Sequence, residues 1–206
     1  MAVHVVRYSE QPGLWAQIEG LTDEVWPEYN THGDELNRYW AQLYDDFPEW
    51  QFVLRDTDSG EVLAEGHTIP VAWDGTDDGL GPGIDAAVAG GFALRSAGGQ
   101  PTAVCALATE IPPRNQGRRL SVPLLQGMAG LAREAGLGSL IAPVRPNAKE
   151  RYPTIPIERY ACWVRDDGTP FDPWVRVHTR MGARTGPALP RSLHITGSVA
   201  DWESWT

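Results

Sequence analysis

A strand-helix-strand unit in the second half of the chain constrains the fold more than any other feature of this sequence. Thr102–Ile111 is an apolar stretch that ends at Pro112-Pro113, and leucine and methionine then recur at helical spacing from Leu120 to Gly136. A second apolar stretch, Gly138–Val144, follows after a short turn. Two strands joined through a helix lie parallel with a right-handed crossover. The sequence therefore predicts an α/β fold built around this unit.

The rest of the chain supplies elements that can complete one sheet. Apolar alternation predicts a hairpin of the strands Gln51–Arg55 and Glu61–Ala72, with a turn at Asp56–Gly60. It also predicts two further strands, Ala2–Tyr8 and Ser192–Val199. Helical spacing and an Asp-Pro start signal predict the helices 15–25, 36–44, 85–97 and one that begins after Asp172 and ends at Gly182. A length of 206 residues suits one domain over residues 1–206, with a long insertion rich in proline and aromatic residues at about 146–170.

Charge is divided unevenly between the two halves of the chain. Residues 1–100 hold 18 acidic residues against 4 arginines, whereas residues 101–206 hold 9 acidic residues against 12 arginines and one lysine. An overall charge of −10 argues against nucleic acid as the main partner, because binding phosphates requires a basic face. The acidic half suits a cation and the basic half a compact phosphate-bearing cofactor, unless both are simply solvated surfaces.

Other classes of protein and site are not indicated by the composition. No apolar run approaches the ~18 residues that span a bilayer, and the first ten residues lack the pattern of a signal peptide, so no membrane association is predicted. With only Cys105 and Cys162, we expect a cytoplasmic protein. The five histidines show no metal-ligand spacing, and Cys105 is expected in the core; we predict no metal site.

The order of these elements, together with the arginine- and glycine-bearing turn after Pro113, resembles the GCN5-related N-acetyltransferase (GNAT) superfamily. That resemblance implies a single-domain acetyltransferase-type fold, with a mixed, splayed central sheet flanked by helices. In the family this turn reads Gln/Arg-x-x-Gly-x-Gly/Ala, and its backbone N–H groups bind the pyrophosphate of coenzyme A. Arg119 and Ser121 stand here where the family has glycine or a small residue. The implied cofactor-binding residues are Ile111 at the strand end and Gln116, Gly117, Arg118, Arg119, Leu120 and Ser121.

The resemblance also implies one catalytic residue, and a second candidate follows from its position at the end of the long strand. The family helix Leu-Tyr-x-x-x-Gly-Phe matches Val177–Ala183, which puts His178 at the position of the tyrosine that protonates the leaving thiolate. An imidazole with a pKa near ~6.5 can donate a proton around neutral pH. A half-buried structural histidine is the alternative. Glu110, at the end of the long strand, is the candidate base for the acceptor amine, unless it is merely solvated.

The implied function is an N-acetyltransferase that moves an acetyl or other acyl group from acyl-coenzyme A to an amine. The acceptor would be a small molecule or a peptide and would attack the thioester directly. A homodimer is compatible with the sequence. The alternative is a non-catalytic module that binds coenzyme A or phosphopantetheine. The 146–170 insertion would either line the acceptor site or cover the sheet or a dimer contact with its aromatic residues.

Overall fold

The computed structural model describes residues 2–11, 13–18 and 25–206. The strands are β1 (Val3–Arg7), β2 (Gln51–Asp56), β3 (Val62–Val71), β4 (Ala103–Glu110) and β5 (Leu140–Ile141). The α-helices are α1 (Trp15–Ile18), α2 (Leu36–Trp40), α3 (Gln42–Asp46), α4 (Ile84–Ser96), α5 (Ser121–Glu134), α6 (Ile157–Tyr160), α7 (Pro173–Arg180) and α8 (Val199–Trp205). None of the helices described is long and apolar enough to cross a membrane.

The five strands form one mixed sheet in the order β1-β2-β3-β4-β5. The first three pairs are antiparallel, and β4 pairs with β5 in parallel. The predicted strand-helix-strand unit is therefore confirmed as β4, α5 and β5, although β5 is only two residues long. The predicted hairpin is also confirmed, because the side chain of Asp56 accepts hydrogen bonds from the amides of Asp58 and Ser59 at 3.0 Å and closes the turn.

Each face of the sheet is covered by its own helices, since side chains alternate between the faces along a strand. On the α5 side, Phe52, Leu54 and Ala106 pack with the buried residues of α5, and α7 packs beside them. On the opposite side, Ile69 and Cys105 pack with α2, α3 and α4, while Val53 packs with α1. We call this second face the α4 side. Cys105 belongs to the core, as predicted, and burial raises the pKa of its thiol to about 12.

A β-bulge in β4 decides which side chains reach the α4 side near the strand end. His67 lies opposite Ala108 and Thr68 lies opposite Ala106, so Leu107 is an extra residue in β4. Simple alternation from Cys105 would place Thr109 on the α4 side. The extra residue reverses the alternation, so Glu110 takes that side instead, directly opposite Glu65.

One predicted element differs from the structure, and another is described only in part. The predicted strand Ser192–Val199 is wrong: only Ile195 forms an isolated bridge, to Gly33, and residues 199–205 form helix α8. That helix starts at a capping box in which the side chains and backbones of Ser198 and Asp201 bond reciprocally. Of the predicted helix 15–25, α1 covers the first residues, and residues 19–24 lie outside the described residues.

The 146–170 insertion is a packed structure. Tyr152, Tyr160, Trp163 and Phe171 contact one another with ring centroids 4.9–6.1 Å apart, and Tyr160 is only 1% exposed. The Tyr160 hydroxyl donates to Asp172 at 3.0 Å, and Asp172 in turn accepts hydrogen bonds from the amides of Trp174 and Val175 at the start of α7. Tyr160 therefore packs inside the insertion itself, and the two roles considered for its aromatic residues, in the acceptor site or over the sheet or a dimer contact, stay predictions. The insertion thereby fixes where α7 begins.

We predict that Asp172→Ala lowers the free energy of unfolding by about 3 kcal/mol or more, because it removes a helix cap and leaves several buried donors unpaired. Asp172 is 3% exposed and also accepts a hydrogen bond from the Ala148 amide at 2.8 Å. Denaturant unfolding measures the loss. The exposed Asp166→Ala is the control and should change stability by less than about 0.5 kcal/mol. Equal stability of the two variants would contradict this account of the insertion.

Candidate active site at the end of strand β4

The sheet opens beside the second half of β4. Strands β4 and β5 pair only at Val104–Leu140 and Cys105–Ile141. From Ala106 to Glu110, the edge of β4 that faces away from β3 has no strand partner in the described part of the chain. The backbone N–H and C=O groups on such an edge can bond an extended ligand. The opening is therefore a cleft with backbone hydrogen-bonding groups along one wall.

The turn that follows β4 leads into the N-terminus of α5. Residues Pro113–Asn115 form a 3-10 turn, and α5 starts at Ser121 with no side-chain cap. The amide groups of Leu120, Ser121 and Val122 have no hydrogen-bond partner among the residues that the structure describes. Unpaired N–H groups at a helix N-terminus favour a bound anion, and the helix dipole adds to the attraction. The site predicted at residues 116–121 thus has the geometry of an anion site.

Some side chains of this turn form hydrogen bonds that hold the turn together, whereas the charged side chain of Arg119 is exposed to solvent. Arg118 donates to the side chain of Asn115 at 2.6 Å, and the buried Asn115 amide donates to the Leu63 carbonyl at 2.9 Å. This support by Asn115 was not predicted from the sequence. Gln116 donates back to the Ile111 carbonyl at 3.3 Å, so its side chain stabilises the turn. Arg119 is exposed and forms no ion pair with a described carboxylate.

Arg119 has a φ of 62°, the only positive φ of a non-glycine residue among those described. A left-handed conformation costs an ordinary L-residue roughly 1–2 kcal/mol, whereas glycine adopts it freely. This is the position at which the resemblance expects glycine. The backbone has therefore kept the conformation of a glycine turn while carrying an arginine side chain.

A buried polar group lies on the α4 side at the end of β4. It consists of Glu65, His67 and Glu110, which are 0%, 0% and 3% exposed. His67 Nε2 lies 3.5 Å from Glu65 Oε1 and 3.6 Å from Glu110 Oε2. Glu110 Oε1 accepts a hydrogen bond from the Trp26 ring at 2.6 Å. Glu110 is thus neither solvated, as one sequence interpretation had it, nor alone.

The protonation of His67 follows from its neighbours. The Gln51 amide donates to the carbonyls of Phe47 and Thr68, so its oxygen faces His67 Nδ1 at 3.2 Å and accepts a proton from it. Burial alone would lower the pKa of His67, but the charges of Glu65 and Glu110 outweigh burial and raise the pKa to about 10. His67 is therefore an imidazolium at neutral pH. Two carboxylates against one imidazolium leave the group with one net negative charge.

Two tyrosines complete the polar group. Tyr8 and Tyr44 donate to Glu65 Oε1 at 2.8 and 3.1 Å, and burial, followed by the charge of Glu65, raises the pKa of both phenols far above the ordinary value. The second carboxylate oxygen of Glu65, Oε2, is buried with no hydrogen-bond partner in the described part of the chain. A buried acceptor without a partner is costly unless a ligand or water satisfies it.

Glu65, His67 and Glu110 also have the composition of a metal site. Their ligand atoms lie within 4.8 Å of one another, and no other such group occurs in the residues described. A metal would need the lone pair of His67 Nε2, however, and the raised pKa keeps a proton on that nitrogen. A metal ion bound by these three residues would therefore have to displace that proton.

The two predicted catalytic residues lie on opposite faces of the sheet. Glu110 is on the α4 side, whereas Trp174 and Val177 of α7 pack on the α5 side. The rings of His178 and Trp174 lie edge to face, with their centroids 4.6 Å apart. The Nε2 atom of His178 is buried and has no hydrogen-bond partner among the described residues. Burial lowers the pKa of His178, so its ring is neutral at pH 7. His178, the residue predicted to be the general acid, is therefore a neutral hydrogen-bond donor and not an imidazolium ion.

The comparisons with known proteins point to one group of relatives. No protein-family model matches the chain. It is 29% identical over 198 residues to the arginine N-acetyltransferase avaD of Aspergillus versicolor, an alignment that covers 88% of this chain and 67% of that protein.

Two solved structures give the fold. The loading GNATL domain of CurA from Lyngbya majuscula matches with a TM-score of 0.66 at 18% identity, over 100% of this chain and 94% of that chain. The GphF GNAT-like decarboxylase in complex with isobutyryl-CoA matches with a TM-score of 0.60 at 18% identity, over 90% and 87%. At these identities the two structures establish the splayed α/β fold.

We predict that Arg119→Gly and Arg119→Ala weaken coenzyme A binding by a similar factor of about 10 or more, because both remove a cation beside the anion site. Only the glycine variant relieves the positive φ, so it should be about 1 kcal/mol more stable than the alanine variant. Calorimetric titration and denaturant unfolding measure the two effects. Unchanged affinity in both variants would show that Arg119 does not bind the phosphates. Equal stability of the two variants would show that the positive φ at this position costs no measurable free energy.

Proposed function

We propose that the chain is a member of the GCN5-related N-acetyltransferase superfamily and that it acylates a small-molecule amine with the acyl group of acyl-coenzyme A at the carboxyl end of β4. Acyl-coenzyme A is its co-substrate, and it is an acyl-CoA-dependent N-acyltransferase. The buried carboxylate of Glu110, placed by the β4 bulge at the mouth of the cleft, is the observation that carries the assignment of the reaction centre.

The donor is proposed to lie in the cleft between β4 and β5. Its pyrophosphate would accept hydrogen bonds from the amides of Leu120, Ser121 and Val122, and the exposed side chain of Arg119 adds a positive charge there. The pantetheine arm would bond to the open edge of β4 between Ala106 and Glu110. A ligand held in this way directs its thioester toward the end of β4, because the phosphates fix the other end.

The acceptor amine is proposed to approach from the α4 side. Amines are ammonium ions at neutral pH, and the net negative charge of Glu65, His67 and Glu110 attracts a cation. The uneven charge of the chain agrees, since Glu65 belongs to the acidic first half. An aqueous ammonium ion must lose a proton before its nitrogen can attack.

The reaction then needs one proton acceptor and one hydrogen-bond donor. The amine nitrogen attacks the thioester carbonyl carbon, a C–N bond forms, and the C–S bond breaks to release the coenzyme A thiolate. The ammonium ion has by then released one proton to solvent, and Glu110 accepts the second proton, which the nitrogen loses as the amide forms. His67 remains protonated and holds the Glu110 side chain in place, because Gln51 fixes its ring from the other side. No covalent enzyme intermediate is required.

His178 is proposed to stabilise the leaving thiolate through an N–H hydrogen bond. Its neutral ring lies on α7, and α7 packs beside α5 on the other face of the sheet from Glu110. The His178 N–H group and the Glu110 carboxylate would then lie on opposite sides of β4, the first near the leaving sulfur and the second near the attacking nitrogen. The proton that finally neutralises the thiolate would then come from solvent.

The alternative function, a non-catalytic coenzyme A or phosphopantetheine module, gains no support. The relative from Aspergillus versicolor is named as an enzyme. A module that only binds coenzyme A would also have no use for a buried, ion-paired carboxylate at the end of β4.

We predict that Glu110→Gln lowers kcat about a hundredfold at pH 7, because glutamine keeps the shape and the acceptor for Trp26 but cannot take the proton. The dissociation constant for acetyl-coenzyme A should stay within twofold of the parent. Release of the coenzyme A thiol with a panel of primary amines, including L-arginine, measures turnover.

The matched control for this variant is Glu134→Gln, which removes an exposed carboxylate that pairs with Arg7 far along α5. It should leave kcat unchanged. Thermal unfolding checks that both variants fold. A folded Glu110→Gln enzyme with parental kcat would exclude Glu110 as the base.

A further inference from the structure

A second charged side chain lies at the mouth of the same cleft, on the wall opposite Glu110. Strands β4 and β5 are parallel and in register at Cys105 and Ile141. Glu110 is five residues beyond Cys105, and Arg145 is four residues beyond Ile141. Glu110 is the last residue of β4, and Arg145 lies in the segment that leaves the carboxyl end of β5; in open α/β sheets ligands gather outside the carboxyl ends of the strands.

The segment from Trp26 to Asn30 joins these two residues. Trp26 donates to Glu110, while Arg145 donates to the Asn30 side chain at 2.6 Å and to the Tyr29 hydroxyl at 2.8 Å. Trp26 and Asn30 are four positions apart in the sequence, so their Cα atoms are at most about 14 Å apart. One short segment thus contacts a carboxylate on one wall of the cleft and a guanidinium on the other.

The guanidinium of Arg145 keeps its charge available. The residue is exposed, its described partners are neutral, and it forms no ion pair with any carboxylate that the structure describes. The Tyr29 ring lies under it, with 5.8 Å from the guanidinium carbon to the ring centroid. Two of its five N–H groups are occupied, which leaves donors for a carboxylate.

We propose that the acceptor is an amino acid and that Arg145 binds its carboxylate while the amine to be acylated faces Glu110. The proposal rests on the proposed function and adds the class of substrate and a residue that determines specificity. A substrate with an amine and a carboxylate matches a cleft with a carboxylate on one wall and an uncompensated guanidinium on the other. A simple amine would leave Arg145 without a role in binding.

The rival role for Arg145 is to hold the Glu28–Thr31 turn against the end of β5. The two roles differ in what they predict for substrates without a carboxylate. An anchoring role affects every acceptor alike, whereas a carboxylate-binding role affects only acceptors that carry the carboxylate.

The experiment compares amino acids with the amines formed by their decarboxylation, beginning with L-arginine and agmatine. Acetyl-coenzyme A is the donor, and kcat/KM is measured for each acceptor. The parent enzyme should prefer the amino acid at least tenfold. Arg145→Gln should lower kcat/KM for the amino acid about ten- to a hundredfold, the range of a charged hydrogen-bonded pair, and leave the amine within twofold.

A second variant, Asn30→Asp, separates the roles without altering Arg145. It places a carboxylate at 2.6 Å from the guanidinium with almost no change of shape, so it strengthens the anchor and neutralises the charge. Carboxylate binding predicts a selective loss for the amino acid, and anchoring predicts no loss. Arg184→Gln, which removes an arginine already paired with Asp77, is the control and should change neither substrate.

Three results would overturn the proposal. These are an equal loss for both members of a pair in Arg145→Gln, parental activity of Asn30→Asp, and a parent enzyme that acetylates amines without preferring any amino acid. In each case acetyl transfer to an amine would persist, so the proposed function would stand. Failure of the parent to release thiol with any amine would instead contradict the proposed function itself.

Discussion

The separation of β4 from β5 after two paired residues is the constraint on which the site depends. Because Val104 and Cys105 alone pair with β5, the second half of β4 keeps an open edge in the described part of the sheet. The crossover helix α5 must begin beside that opening, since it connects the same two strands. One topological feature therefore supplies both a backbone edge and a helix N-terminus, which are the two elements needed to hold a long phosphate-bearing ligand.

The bulge at Leu107 then determines the chemistry at the end of the opening. Without it, Thr109 would occupy the α4 side and Glu110 would face α5. With it, Glu110 joins Glu65 and His67 in a group that is buried between two apolar clusters. Burying charges is costly unless they are paired, and the imidazolium of His67 provides that pairing.

Local signals in the sequence predicted the central part of the fold. The apolar stretch before Pro112, the helical spacing from Leu120 and the turn at Asp56–Gly60 depend on neighbouring residues, and the structure has all three. The capping box at Ser198 and Asp201 is an equally local signal, and attention to it would have predicted α8 in place of the final strand. The glycine expected at position 119 likewise implied the positive φ that Arg119 adopts.

The polar group could not be predicted in the same way, because it depends on register. Glu65 and His67 are two residues apart in a strand that is otherwise mainly apolar, which is a signal for polar residues on one face. Their proximity to Glu110 follows only from the pairing of β3 with β4 and from the bulge. Arg145, the residue after the predicted strand Gly138–Val144, was given no role from the sequence, since its relation to Glu110 requires the parallel register and the contacts of the Tyr29–Asn30 turn.

A crystal structure of the protein with coenzyme A bound tests the central claim most directly, because it locates the ligand relative to the two separated strands. The account predicts pyrophosphate oxygens about 3 Å from the amides of Leu120, Ser121 and Val122, with the pantetheine arm along β4 toward Glu110. Coenzyme A bound elsewhere, for example in the groove between β1 and α5 that Val5 and Gln126 line, would contradict it.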